Sequence, residues 1–351
     1  MKNIFKLLAV TAFCTSCATD GYRITGSVEG ALEGDVIYLS TVEGGAFVNV
    51  DSTTIQNGIF TFEGKQDKVV NRYIRTKNKV GDTNRRLFTD FFLENGHIKI
   101  SITTMGGETS GTPNNDAYQA TRNEMYEMQQ KLATLPKEEQ MKEFDNVFTG
   151  VMKRAATKYI KMPVGVHFLK EAYHFMGTEE IAELLIQIPE DLANDPVVIR
   201  IKDLVERKRK CAIGQSFIDF EMNNPEGKTV KLSDYAGKGK IVLMDFWASW
   251  CGPCCKAIPD LINLYNQYQS KGLEIVGITL DQDVKAWKGA INRLNIPWPQ
   301  MSDLKGWKSD GSKMYAVSTI PYTVLLDDEG KIVANNLTLE ELKIYLEENL
   351  K

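Results

Sequence analysis

Cysteine is scarce in this chain of 351 residues. There are six, at positions 14, 17, 211, 251, 254 and 255. That is too few to staple a scaffold of this size together. Histidine is scarcer still, with three residues. His167 and His174 stand seven apart in a helical stretch, and no third ligand accompanies them. Three clustered cysteines with no nearby histidine do not complete a tetrahedral metal site either. A strong charge imbalance is missing too: the net charge of −4 gives no reason to invoke a nucleic acid partner. The apolar stretch Leu7 to Phe13 is too short to cross a bilayer as a helix. What remains is ordinary globular composition, 25% charged and 43% hydrophobic, in a chain long enough for two or three domains.

The cysteines cluster at the start and around position 251, which reads as a signal segment plus a redox site. Lys2 and Lys6 precede the short apolar core, as in a secretory signal. Thr15-Ser16 then places small residues before Cys17, the pattern of a lipoprotein signal. Residues 1–17 are therefore expected to be a lipoprotein signal peptide, with Cys17 lipidated and anchored in a membrane. Cys14 stands where such signals usually carry leucine, and a plain signal peptide with a soluble product is the alternative.

Residues 20–111 read as a small antiparallel β domain with one buried face. Asn57-Gly58 and Asn95-Gly96 each lie between apolar runs, the strongest short hairpin signal. From 112 to 210 the period lengthens to that of helices. Met141, Phe144, Val147, Phe148, Val151 and Ala155 trace one apolar face. Thr178 is the expected N-cap of one helix, and Asp195-Pro196 the cap and first residue of another that ends in Arg207-Lys208-Arg209-Lys210. This segment is expected to bridge the β domain to residues 211–351.

The last part carries the chemistry. An apolar run from Ile241 to Trp247 leads into Trp250-Cys251-Gly252-Pro253-Cys254, and a helical pattern follows from Ile258 to Tyr268. Strand, cysteine pair, then helix puts the first sulfur at a helix N-terminus, where free N–H groups and the macrodipole favour an anion. That lowers the thiol pKa and favours the Cys251 thiolate near neutral pH. Cys254 lies one turn on, within reach of a disulfide. Such a pair can attack a foreign disulfide, pass through a mixed disulfide and resolve it.

On these residues the C-terminal region resembles thioredoxin-fold thiol–disulfide oxidoreductases of the TlpA/ResA-like branch. Asp245 matches the family's buried aspartate, Pro259 the proline that kinks the active-site helix, and Thr319-Ile320-Pro321 the loop whose cis-proline faces the disulfide. Asp327 to Lys331 matches the turn between the last two strands. The implied fold class is α/β: a mixed sheet with flanking helices, preceded by the small β domain and a helical segment. The resemblance implies Cys251 as nucleophile, Cys254 as resolving thiol and Asp245 as the acceptor of the Cys254 proton. Trp250, Gly252 and Pro253 would border the incoming disulfide, with the Ile320 backbone and Pro321 pairing with the substrate chain. No cofactor is implied. The implied partners are disulfide-bearing envelope proteins, a membrane thiol-electron donor and the lipid membrane through Cys17.

Two departures narrow this. Ala257 occupies the place where reductases of cytochrome maturation carry a glutamate, and the strand Glu274 to Leu280 offers Asp245 no lysine partner. Two other functions compete. A thiol peroxidase of the redoxin superfamily needs a threonine where Ala248 stands and a proline where Met244 stands. A lipid-anchored module that only docks partners leaves the intact cysteine pair unexplained. Cys255, four residues after Cys251, is either an incidental thiol or an alternative resolving group.

Overall fold

A computed structural model describes residues 21–77 and 86–350. The expectation of a signal peptide with a lipidated Cys17 lies outside the described residues. The chain divides into two compact units, the first ending at Val198 and the second running from Ile199 to Lys351.

In the first unit the described strands are β1 (Tyr22–Val28), β2 (Val36–Glu43), β3 (Ala46–Thr54), β4 (Phe60–Gly64), β5 (Val70–Thr76), β6 (Phe88–Leu93), β7 (Gly96–Thr103) and β8 (Gly106–Ser110). They form two four-stranded sheets, ordered β4-β1-β7-β8 and β3-β2-β5-β6. Ile24, Phe60, Phe62, Ile98 and Ile100 of one sheet share a core with Ile37, Leu39, Ile74 and Phe91 of the other. The small antiparallel β domain expected for residues 20–111 is present as two sheets, with β1 and β7 the one parallel pair among its described strands. Asn57 and Gly58 do adopt the positive φ of a tight turn, 52° and 76°, and Gln56 bridges Ile59. Yet β3 and β4 belong to different sheets, as do β6 and β7 on either side of Asn95-Gly96. Asn-Gly fixes a local reversal, whereas burial of apolar faces decides which strands pair.

Five helices follow: α1 (Pro113–Ala133), α2 (Lys137–Tyr159), α3 (Pro163–Ala172), α4 (Thr178–Leu185) and α5 (Pro196–Lys210). Proline opens α1 and α3, where no N–H is needed. The start of α1 is fastened to β6 by the Asn115 side chain, which accepts from Phe92 N at 2.9 Å and donates to Phe92 O at 2.7 Å. Two helical expectations change. Val151 and Ala155 are buried, but Met141 and Phe144 are 79% and 49% exposed; periodicity reveals an amphipathic face, not what covers it. The N-cap of α4 is Gly177, whose N–H donates to the Glu180 carboxylate, so Thr178 is the first helical residue. Asp195 does cap α5, accepting from Val197 N at 2.7 Å.

The second unit opens with most of α5 and a hairpin of β9 (Glu221–Asn223) and β10 (Thr229–Lys231). Ahead of β9, Phe217 N donates to Gly330 O at 2.8 Å. Then come β11 (Ile241–Trp247), α6 (Gly252–Tyr268), β12 (Leu273–Thr279), α7 (Val284–Leu294), β13 (Gln300–Met301), α8 (Asp310–Met314), β14 (Tyr322–Leu326), β15 (Ile332–Asn335) and α9 (Leu339–Asn349). The sheet order is β13-β12-β11-β14-β15, parallel from β11 to β13 and antiparallel at β14 and β15. All seven residues of β11 are buried, as a central strand covered on both faces requires. Thr338 and Glu341 cap α9 reciprocally: Thr338 N donates to Glu341 Oε2 at 2.8 Å and Glu341 N to Thr338 Oγ1 at 3.3 Å.

Candidate active site

The chain leaves the C-terminal end of β11 through Ala248-Ser249-Trp250 and enters α6 at Gly252. Cys251 is the N-cap, and its sulfur accepts from Cys254 N at 3.2 Å. This is the anion-stabilising position of a helix start. Cys251 and Cys254 form a disulfide across a Cα–Cα distance of 5.3 Å. Cys251 is the more exposed of the two, though both are buried, so only a small part of its sulfur meets solvent. Pro253 sits in the first turn, and Gly252 faces open space, with nothing within 4 Å of where a Cβ would stand.

The turn before Cys251 is held by a residue the sequence reading passed over. Asp281, buried just after β12, accepts from Ser249 N at 3.0 Å, Ser249 Oγ at 2.6 Å and Thr279 Oγ1 at 2.7 Å. Three donors satisfy its charge and lock the loop that presents the cysteine pair.

Asp245 lies in mid-β11, paired in register with Gly277 of β12 and Thr323 of β14. It is buried, and burial raises its carboxyl pKa to about 7. Gly277 offers no side chain, so the neighbouring strand supplies no cation at that register. Asp245 and Cys254 line one cavity of about 300 Å³, together with Ala257, Asp260, Pro321 and Thr323. The Ile320–Pro321 peptide is cis, and the loop brings Pro321 to the same cavity as Cys254.

Trp250 is 56% exposed, with its ring centroid 6.3 Å from that of Trp307. Cys255 is a half-buried free thiol whose Sγ lies 3.6 Å from Ser249 O. Cys211 is a buried free thiol directed at Arg207 O, and burial raises its pKa. His167 packs edge-on to Phe92 and Tyr118, and burial lowers its pKa. Among the described residues no three His, Cys, Asp or Glu side chains are grouped to hold a metal ion. No helix among them is long and apolar enough to cross a membrane.

A disulfide at the head of a helix, fed by the central strand of a mixed sheet and faced by a cis-proline loop, defines a thioredoxin-fold thiol–disulfide oxidoreductase. Comparison with known proteins agrees. Residues 213–335 match the AhpC/TSA family, and residues 22–118 match a domain of unknown function, DUF4369. The thiol–disulfide oxidoreductase ResA of Bacillus thuringiensis is 37% identical over 142 residues, which are 40% of this chain and 79% of that protein. ResA of Bacillus subtilis is 32% identical over 126 residues, 36% of this chain and 68% of its own. Among solved structures, a thiol–disulfide oxidoreductase from Bacteroides fragilis is 35% identical over 39% of this chain and all of its own, with a TM-score of 0.37. The thioredoxin domain of another from Bacteroides vulgatus is 34% identical over 40% of this chain and 99% of its own, also with a TM-score of 0.37. The chain belongs to the ResA-like thiol–disulfide oxidoreductases, through its C-terminal unit.

Proposed function

We propose that this enzyme acts in the cell envelope as a reductant of protein disulfides. The observation that carries the mechanism is the cavity shared by Asp245, Cys254 and Pro321. In the reduced state the Cys251 thiolate attacks one sulfur of a substrate disulfide. A Cys251–substrate disulfide forms, and the other substrate sulfur leaves as a thiolate that takes a proton. Asp245 accepts the Cys254 proton, directly or through water in the cavity. The Cys254 thiolate then attacks the Cys251 sulfur, which releases the second substrate thiol and leaves the Cys251–Cys254 disulfide. Two electrons have passed to the substrate. Trp250, Gly252 and Pro253 border the attacked sulfur, and the Ile320 backbone and Pro321 hold the substrate strand.

The reducing direction is supported by Gly252-Pro253 between the cysteines, the pair found in reducing thioredoxins, which adds no charge to stabilise a thiolate further. A reductant outside the cytoplasm cannot draw on cytosolic glutathione, so a membrane thiol-electron donor must recharge it. Lipidation of Cys17 would hold it at a membrane facing the periplasm. Ala257, in place of a glutamate, argues against a cytochrome c apoprotein as dedicated substrate. Ala248 and Met244 leave peroxide without the side chains a redoxin peroxidase uses. The β-rich unit and the helices to 210 would space or orient the redox domain at the membrane.

The test is the reduction potential of the Cys251–Cys254 pair in a Cys211→Ser, Cys255→Ser background, titrated in graded thiol buffers. A value near that of thioredoxin, about −270 mV, supports the reductant, whereas about −120 mV, that of a strong oxidant, makes it a disulfide donor. A pair that forms no reversible disulfide ends the redox reading.

A further inference from the structure

The segment between β13 and α8 has no role in the chemistry above. Its single helical turn, Gly306–Lys308, carries Trp307. That indole is 48% exposed and lies 6.3 Å from Trp250, the residue before Cys251. A cleft of about 240 Å³ lies beside the two rings, lined also by Leu280, Gln282, Lys305, Gly306 and Lys308.

The exposure of Trp307 is not that of a loose loop. Asp303 accepts from Lys305 N at 3.1 Å and from Asp310 N at 2.9 Å, and Lys305 Nζ reaches Asp310 at 2.6 Å. Lys308 N and Ser309 N close the turn onto Lys305 O and Gly306 O. A braced turn that keeps a large indole half in water forgoes burial the fold would otherwise gain. Two such rings together, one of them on the residue before Cys251, have the composition of an interface hot spot. The charge at the rim has a sign. Lys305 is paired with Asp303 and Asp310, but Lys308 has no ion-pair partner among the described residues, and no carboxylate lines the cleft.

We propose that Trp307 is a specificity-determining residue. With Trp250 it grips the polypeptide that flanks the target disulfide, taking an apolar or aromatic side chain beside the indoles and a carboxylate near Lys308. The proposal rests on the reading that Cys251 attacks protein disulfides. Trp307 moves no proton or electron, so the exchange itself is unchanged.

The test uses the full-length protein and three disulfide substrates. Two are peptides, one with Phe and Glu beside its cysteines and one with Gly and Ser there; the third is hydroxyethyl disulfide, which has no flanking chain. Trp307→Ala is expected to lower kcat/KM for the Phe/Glu peptide about tenfold, the loss of one interface anchor, mostly through KM. The rate on hydroxyethyl disulfide and the reduction potential should stay within about twofold of wild type, since neither engages the clamp. Trp307→Phe should recover most of the loss, and Lys308→Glu should weaken the Phe/Glu peptide alone. An equal loss on all three substrates would mean that Trp307 only supports the site, and no loss on any would mean that it is idle; either overturns the clamp. A wild-type protein that reduces none of the three overturns the reading of the site itself, a result distinguishable from failure of the variant.

Discussion

Asp245 on the central strand and Cys254 on the active-site helix open onto one cavity of about 300 Å³. The acid is buried, with its pKa raised to about 7, and in the proposed mechanism Cys254 is the thiol that loses a proton. A carboxyl that titrates near neutrality beside such a thiol is suited to accept its proton. Asp245→Asn should therefore slow the resolving step by about 10²-fold, the low end for loss of a general base. The attack by Cys251 should be far less affected. Rapid acid quench with mass spectrometry should then find the mixed disulfide accumulating in the variant. Equal slowing of both steps would remove Asp245 from this role.

The same carboxyl makes stability depend on pH. Below about pH 4 both folded and unfolded chains hold its proton, and burial costs nothing from ionisation. Between pH 4 and 7 the folded state keeps a proton that the unfolded state releases, so stability falls as pH rises; above 7 the penalty is constant. A shift from 3.8 to about 7 corresponds to a penalty on the order of 4 kcal/mol. Asp245→Asn should abolish this slope, becoming more stable than wild type at pH 8 and losing that advantage toward pH 4. All five tryptophans, at 247, 250, 287, 298 and 307, lie in the second unit. Urea unfolding followed by their fluorescence therefore reports on that unit alone.

The cysteines should divide by position. Cys254→Ser should trap a stable mixed disulfide with a substrate peptide, because the attacking sulfur remains and the resolving one is gone. Cys251→Ser should trap none. The Cys255 sulfur lies against Ser249 O, and Cys255→Ser should leave turnover within about twofold of wild type, since the pair that exchanges is Cys251–Cys254. Non-reducing electrophoresis of the three variants separates these outcomes. A trapped complex in Cys251→Ser would move the nucleophile to another sulfur.

The core of the site could be read from consecutive residues. A buried strand, a cysteine at a helix cap and a proline in the first turn are local signals, and Thr338 with Glu341 is a cap written in four residues. Asp281 was not legible, because its partner Ser249, on the loop after β11, meets it only once β11 and β12 pair. Trp307 was hidden for the same reason: 57 positions separate it from Trp250 in the sequence, and only the fold sets their rings 6.3 Å apart. In the first unit Asn57-Gly58 announced a turn correctly and its strand partners wrongly, since turn chemistry carries no information about which sheet a strand joins. Met141 and Phe144 failed differently: they continue a genuine apolar stripe beyond what covers it.

Gly277 stands in register with Asp245 and lets the Gln300 side chain lie against the sheet. A Cβ there would collide with the Gln300 side chain, whose Oε1 accepts from Trp247 Nε1 at 3.0 Å. Gln300 is buried and has little room to move. Gly277→Ala should therefore displace Gln300, break its bond to Trp247 and destabilise the second unit by about 2 kcal/mol, the middle of the range for overpacking. Gln300→Ala alone should also destabilise, because it leaves the indole N–H unpaired and opens a cavity. The double variant should be more stable than the sum of the single losses implies, since shortening Gln300 removes the clash that the new methyl creates. Additive losses in the tryptophan-monitored urea transition would show that the methyl is accommodated by movement of β12 instead.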